Sequence, residues 1–417
     1  MNRYASLMHT LNVDEGGVGP SLSLSAWQQL ATAIRNAVQP TYFLLNLQSL
    51  EWYSAADTFA YINLFLSPRL TSLNVQVIPN IPNVVPILAS LPVEKLEELR
   101  FLDLSGDRAV QNAISKLVLR TTAALRSIEV SSDLSGAAIL HVTRLPNLSD
   151  ASVSFEVMDR LPTSPDATFP SLRSLETRVD SKGGWKYLVE SANGLDSAVL
   201  RSSTTPQQEE IAAAFGFLVD KGFHRTVHRL FFAVVEPCNL TPLVLIPLRR
   251  FGSLTRLSVT SPCDPTQCKS RLTNEALAQL AEALPQLVEL ILGAAPCGSP
   301  AREVTLAGLR PLSIHCVHLE TLQIHFSALD IPTDIPDDAL SSPSDQEPLS
   351  PNHCRLFQLV VGELPVIDTG RSLLIVAYFL HQLFPRLSKI VSTIHVSPWK
   401  EVQDHVDMFR KYRPKKR

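Results

Sequence analysis

The feature that most limits how this chain can fold is a short apolar phrase that keeps returning. "NLQSLEW" at Asn46, "RLTSLNV" at Arg69, "ALRSIEV" at Ala124 and "SLRSLET" at Ser171 share the template L-x-x-L-x-L, and "SLTRLSV" at Ser253, "QLVELIL" at Gln286, "HLETLQI" at His318 and "RLFQLVV" at Arg355 continue it. The first apolar place falls at Met8, Leu47, Leu70, Leu99, Leu125, Leu148, Leu172, Leu195, Val227, Leu254, Leu287, Leu319, Leu356 and Leu387, giving about fourteen units spaced 23 to 39 residues apart. Strict alternation at the end of the template marks a short strand with one buried face. Between copies the sequence turns helical: "SAWQQLATAIRNAV" from Ser25, "AVQNAISKLVL" from Ala109, "QQEEIAAAFGFLVDKG" ending at Gly222, and "TNEALAQLAEAL" from Thr273. Thr273 is placed as an N-cap and Gly222 as a helix stop.

One strand and one helix cannot bury their apolar faces by themselves, so such units must stack. The spacing and residues resemble leucine-rich repeats over most of the chain. The expected fold is an α/β leucine-rich-repeat solenoid of about 14 irregular repeats, with a curved parallel sheet on the concave side and helices on the convex side. It runs over 1–329, resumes over 354–400, and ends in a C-terminal helix and basic tail over 401–417. An acidic, Pro- and Ser-rich loop insertion, "DIPTDIPDDALSSPSDQEPLSPNH" over 330–353, breaks the period. Its Ser342-Pro343 and Ser350-Pro351 pairs are either proline-directed phosphorylation sites or part of a solvated linker. The tail "KYRPKKR" from Lys411 is either a nuclear-import or nucleic-acid segment or a solvated end. Where leucine-rich repeats carry Asn or Cys to satisfy turn backbone, this chain has Asp107, Asp133, Asp180 and Ser327 in some units.

Near balance between 37 basic and 40 acidic residues gives no general attraction to nucleic acid or an anionic membrane. The longest apolar stretch, Ser372 to Phe384, is too short to span a bilayer and reads as a buried helix. No secretory leader precedes the repeats, and six unpaired-looking cysteines (Cys238, Cys263, Cys268, Cys297, Cys316, Cys354) suit a reducing compartment, so a cytoplasmic or nuclear location is expected. The phosphate-loop, dinucleotide, nucleophile-elbow and zincin motifs are all missing, so no catalytic residue, metal or cofactor is expected. Cys263, Cys268, His315 and His318 read as core cysteines and strand-edge histidines, with a zinc site as the competing possibility.

Function then falls to the outward strand places, the third, fifth and seventh of the template. They give Asp14, Glu51, Asp103, Glu129, Asp150 and Glu176 in the N-terminal half, Arg178, Arg201, Arg229 and Arg256 in the middle, and Glu289, His325 and Lys389 after them. Four arginines on consecutive units suit an acidic or phosphorylated partner segment, with alternating surface salt bridges as the competing reading. Tyr53 and Phe231 are outward anchors, whereas Trp52 points inward.

The phrases "YASLMHTLNV" at Tyr4, "LLNLQSLEW" at Leu44, "LFLSPRLTSLNV" at Leu64 and "FPSLRSLETRV" at Phe169, together with the long unequal units, resemble fungal F-box proteins with leucine-rich repeats. That resemblance implies a non-enzymatic substrate receptor of a cullin-RING ubiquitin ligase, in which an F-box holds a Skp-type adaptor and the repeats hold a protein target. Residues 1–7 are too few to form an F-box, so the expectation is a shortened gene model, a fragment, or a product lacking the adaptor-binding module. A stand-alone repeat scaffold with an unrelated, perhaps nuclear, partner is the alternative.

Overall fold

The structure, a computed structural model, describes residues 7–14, 22–36, 43–53, 57–154, 168–178, 184–202, 206–234, 240–262, 271–293, 303–328, 354–361, 370–392 and 398–412. The expected loop over 330–353, the tail from residue 413, Asp180, and Cys238, Cys263, Cys268 and Cys297 lie outside these. Fourteen strands occur among the described residues, all parallel to their neighbours, and the chain divides into two compact units, Met1–Leu195 and Asp196–Arg417.

The first unit holds β1 (Thr10–Asp14), β2 (Ser49–Tyr53), β3 (Ser72–Val77), β4 (Glu98–Asp103), β5 (Ser127–Asp133), β6 (Asp150–Ser154) and β7 (Ser174–Arg178), paired in chain order. The second holds β8 (Ser197–Ser202), β9 (Arg229–Val234), β10 (Arg256–Thr260), β11 (Glu289–Leu292), β12 (Thr321–Ile324), β13 (Gln358–Val361) and β14 (Lys389–Ser392), again in order. Helical connections separate the strands, as a parallel sheet requires. The leucine-rich-repeat solenoid read from the sequence is therefore the fold.

A repeated backbone device sets the register. The carbonyl just before each strand accepts two successive N–H groups from the next repeat: Gln48 from Thr71 and Ser72, Thr71 from Glu97 and Glu98, Glu97 from Arg126 and Ser127. The second unit repeats it, from the Asp196 carbonyl, which takes His228 and Arg229, to that of Phe357, which takes Ser388 and Lys389. With that bond fixed, alternation sends every second and fourth strand residue inward. Leu50, Leu73, Leu99, Ile128 and Leu175 thus form one buried row, and Leu230, Leu257, Leu290, Leu322 and Leu359 its counterpart in the second unit.

One repeat sits in a different register from the sequence reading. "LEELRFLDL" satisfies the template from Leu96 or from Leu99. The structure uses Leu96, which buries Leu96, Leu99 and the Phe101 ring completely or nearly so and leaves Leu104 58% exposed. Starting from Leu99 would have turned the phenyl ring to solvent, at a cost of about 2 kcal/mol for an aromatic side chain.

Helix ends follow local chemistry. Ser23, Asp107, Ser135 and Thr273 cap their helices by accepting backbone N–H bonds, Asp107 at 2.7 Å from Ala109. Gly222 stops Gln208–Asp220 with φ +83°, a left-handed backbone that glycine adopts freely. Asp133, another expected turn residue, instead accepts from the Ser154 hydroxyl at 2.5 Å, and Ser327 lends its backbone N–H to the Val304 carbonyl.

Arg120 ties two repeats together. Its guanidinium donates to the Ala89 and Leu91 carbonyls at the end of helix Val84–Ser90, at 2.7 and 2.9 Å, and bridges Glu94 at 2.7 Å. The hydrogen bond from Arg120 holds the Glu94 carboxyl below its usual 4.5. A carboxyl depressed in the folded state stabilises above its unfolded value, and that contribution is lost as pH falls through the depressed one. Arg120→Ala is expected to cost about 1–2 kcal/mol at pH 7, and less at pH 3, where Glu94 no longer distinguishes the two proteins. Denaturant titrations at both pH values check this.

The last repeat is closed deliberately. Helix Gly370–Leu383 buries the apolar stretch seen in the sequence, and helix Trp399–Tyr412, which begins two residues before the expected 401, packs on it through Tyr378, His381 and Phe409. From that final helix the Gln403 side-chain amide accepts the Ile390 N–H at 2.6 Å and donates to the Ser388 carbonyl at 3.3 Å. It gives β14 two of the bonds a fifteenth strand would have offered. No helix among the described residues is long and apolar enough to cross a membrane.

Candidate interaction faces

The residues left over by the core form the outward rows of each unit, and the two units differ. In the first, the middle row runs Asn12, Glu51, Asn74, Arg100, Glu129, Ser152 and Glu176, polar throughout. Much of it is internally bonded. Asn12 donates to Glu51 at 2.8 Å, Asn74 donates to the Tyr53 hydroxyl, and Arg100 bridges Glu129 at 2.8 Å. That bridge is about half exposed and contributes on the order of 1 kcal/mol or less. Glu51, Glu129 and Glu176 are outward as expected, with Asp14 and Asp150 beside them.

Asp103 is a turn residue rather than part of this row, a direct consequence of the Leu96 register. It ends β4, and its carboxylate accepts from the Ser105 N–H at 2.9 Å and hydroxyl at 2.6 Å. Trp52 is fully buried, as read from the alternation.

In the second unit the middle row is Val199, Phe231, Ser258, Ile291, Gln323, Val360 and Val391, predominantly apolar. Cations flank it. Arg229 and Arg256 occupy the first place of β9 and β10, level with each other, and Lys389 that of β14. The four arginines do not form one ladder: Arg201 stands level with Ala233, four residues along β9 from Arg229, and Arg178 closes β7 of the first unit. Third and seventh template places both face outward, but they lie about 13 Å apart along a strand. Arg256 bridges Glu289 at 3.8 Å, whereas the exposed Arg229 has no side-chain partner among the described residues.

Sequence reading missed Ser258. It is 7% exposed, its outward neighbours on either side are Phe231 and Ile291, and its hydroxyl makes no hydrogen bond among the described residues. Writing the fifth template places of successive units side by side would have revealed a small polar residue between two large apolar ones.

Neither cysteine in the described part is arranged for chemistry. Cys316 and Cys354 are completely buried in successive repeats, and the Cys354 thiol donates to the Cys316 carbonyl at 3.5 Å. Burial pushes the Cys316 thiol up to about 12 and raises that of Cys354. Among the described residues no three His, Cys, Asp or Glu side chains gather as a metal site requires. No family model matches the chain, and no curated protein matches its sequence.

Proposed function

We propose that this chain is a non-enzymatic protein–protein interaction module, the substrate-holding part of an F-box type cullin-RING ubiquitin ligase receptor. The observation that carries the interaction reading is the chemistry of the outward rows. In the second unit the sheet core is complete without Val199, Phe231, Ile291, Val360 and Val391, yet these apolar side chains stand on the solvent side of the strands, beside exposed arginines. An apolar strip rimmed by charge is the make-up of a protein-binding surface. The ligase assignment rests on the F-box resemblance of the repeat phrases. The absence of catalytic motifs from the sequence supports a binding role rather than an enzymatic one.

Affinity purification of the full-length protein from its native cells tests the assignment. A Skp-type adaptor and a cullin are expected in the eluate with the target. Recovery of other stable partners with neither ligase component would overturn the ligase role and favour a stand-alone scaffold.

A further inference from the structure

We propose that the notch over Ser258 is a docking site for an extended peptide in which a carboxylate stands two residues from an apolar side chain. The inference rests on the interaction reading above and names the partner of the same face.

β10 supplies Arg256, Ser258 and Thr260 outward in succession. Ser258 contributes almost no volume, while Phe231 on β9 and Ile291 on β11, both half-buried, rise beside it at about 4.8 Å spacing per strand. Beyond lie Ala233, Thr260 and Gly293, the last one residue past β11, so the floor stays low in that direction. The depression therefore has apolar walls and a small floor. Its floor residue, Ser258, is only 7% exposed although it holds an outward strand place, and its hydroxyl has no hydrogen-bond partner among the described residues. Such a hydroxyl at the base of an apolar slot is what a peptide carbonyl or N–H would satisfy on arrival.

Charge sits at one end. Arg229 and Arg256 precede the notch by two residues on β9 and β10, about 6.7 Å along the strands. An extended peptide repeats its side chains on one face with the same two-residue spacing. An apolar residue over Ser258 accordingly puts the side chain two positions away over Arg256, with Arg229 level with it on the neighbouring strand. A carboxylate fits better than a phosphate dianion, because Arg256 already shares its charge with Glu289 and, of the two, only Arg229 has no side-chain partner among the described residues.

The probe is a library of random twelve-residue peptides displayed on phage and selected on the purified full chain. The expected consensus is an acidic residue, any residue, then Leu, Ile, Val, Met or Phe, in either direction. A synthetic consensus peptide should lose about tenfold in affinity with Arg229→Glu, the order of one charged contact, and at least as much with Ser258→Phe. Replacing its acidic residue by phosphoserine should weaken it. Arg229 is exposed and has no side-chain partner among the described residues, so its variant keeps the test meaningful if Ser258→Phe fails to fold. Absence of enrichment, a consensus without an acid, tighter phosphopeptide binding, or undiminished binding to Arg229→Glu would each overturn the proposal. Proximity labelling separates this from the broader reading. A partner set unchanged in Ser258→Phe but lost on reversing Glu51 and Glu176 would remove the notch and leave the interaction module standing.

Discussion

Trp52→Ala is expected to be the most damaging single substitution in the first unit, costing about 4 kcal/mol, the range for removing a fully buried indole. Trp52 meets the Trp27 ring at 5.6 Å and the Phe65 ring at 5.7 Å, and Trp27 in turn stacks on Tyr61 and meets Phe65 edge-on. One side chain thus holds β2 to helix Leu24–Arg35 and to the 3-10 turn Phe59–Leu64. Its indole N–H is buried with no hydrogen-bond partner among the described residues, so the ring serves only by its apolar surface. Trp52→Phe should consequently cost under about 1.5 kcal/mol. Because repeats lean mainly on their neighbours, the damage should be local. Hydrogen exchange followed by mass spectrometry should show lost protection across β1 to β3 and none across β11 to β14. Uniform loss in both regions would contradict nearest-neighbour stacking.

Gly308→Ala is the second large effect, at about 2–3 kcal/mol. A Cβ on this buried glycine would lie 2.0 Å from the Asn274 side-chain oxygen. That oxygen accepts the Thr305 N–H at 2.9 Å, while the same amide donates to the Thr305 hydroxyl at 2.9 Å, linking two successive repeats. The new methyl forces the amide aside and breaks both bonds. A double-mutant cycle with Asn274→Ala isolates the cause. In the Asn274→Ala background the glycine substitution should cost less than half as much, as read by denaturant unfolding.

Which parts of this architecture could be seen in advance follows from how each is encoded. Strands and helices were legible because alternation and the end signals at Thr273 and Gly222 are local, whereas Asp107, read as a turn residue, proves to be a helix cap. The register of β4 was not, because Leu96 and Leu99 fit the template equally and only the volume of Phe101 decides between them. The outward residues Glu51, Glu129, Glu176, Tyr53 and Phe231 were readable from parity. Their relations were not: the misalignment of Arg201 with Arg229, and the low floor at Ser258, depend on three repeats at once. Division of the strands between 1–195 and 196–417 likewise has no mark in the repeat phrase.

Gln403 carries a consequence for assembly. By occupying the Ile390 N–H and the Ser388 carbonyl, one glutamine amide acts as a stopper against a further chain adding onto that edge of β14. Pairing another strand there would first require helix Trp399–Tyr412 to be levered away, because a side chain imitates a backbone at that edge.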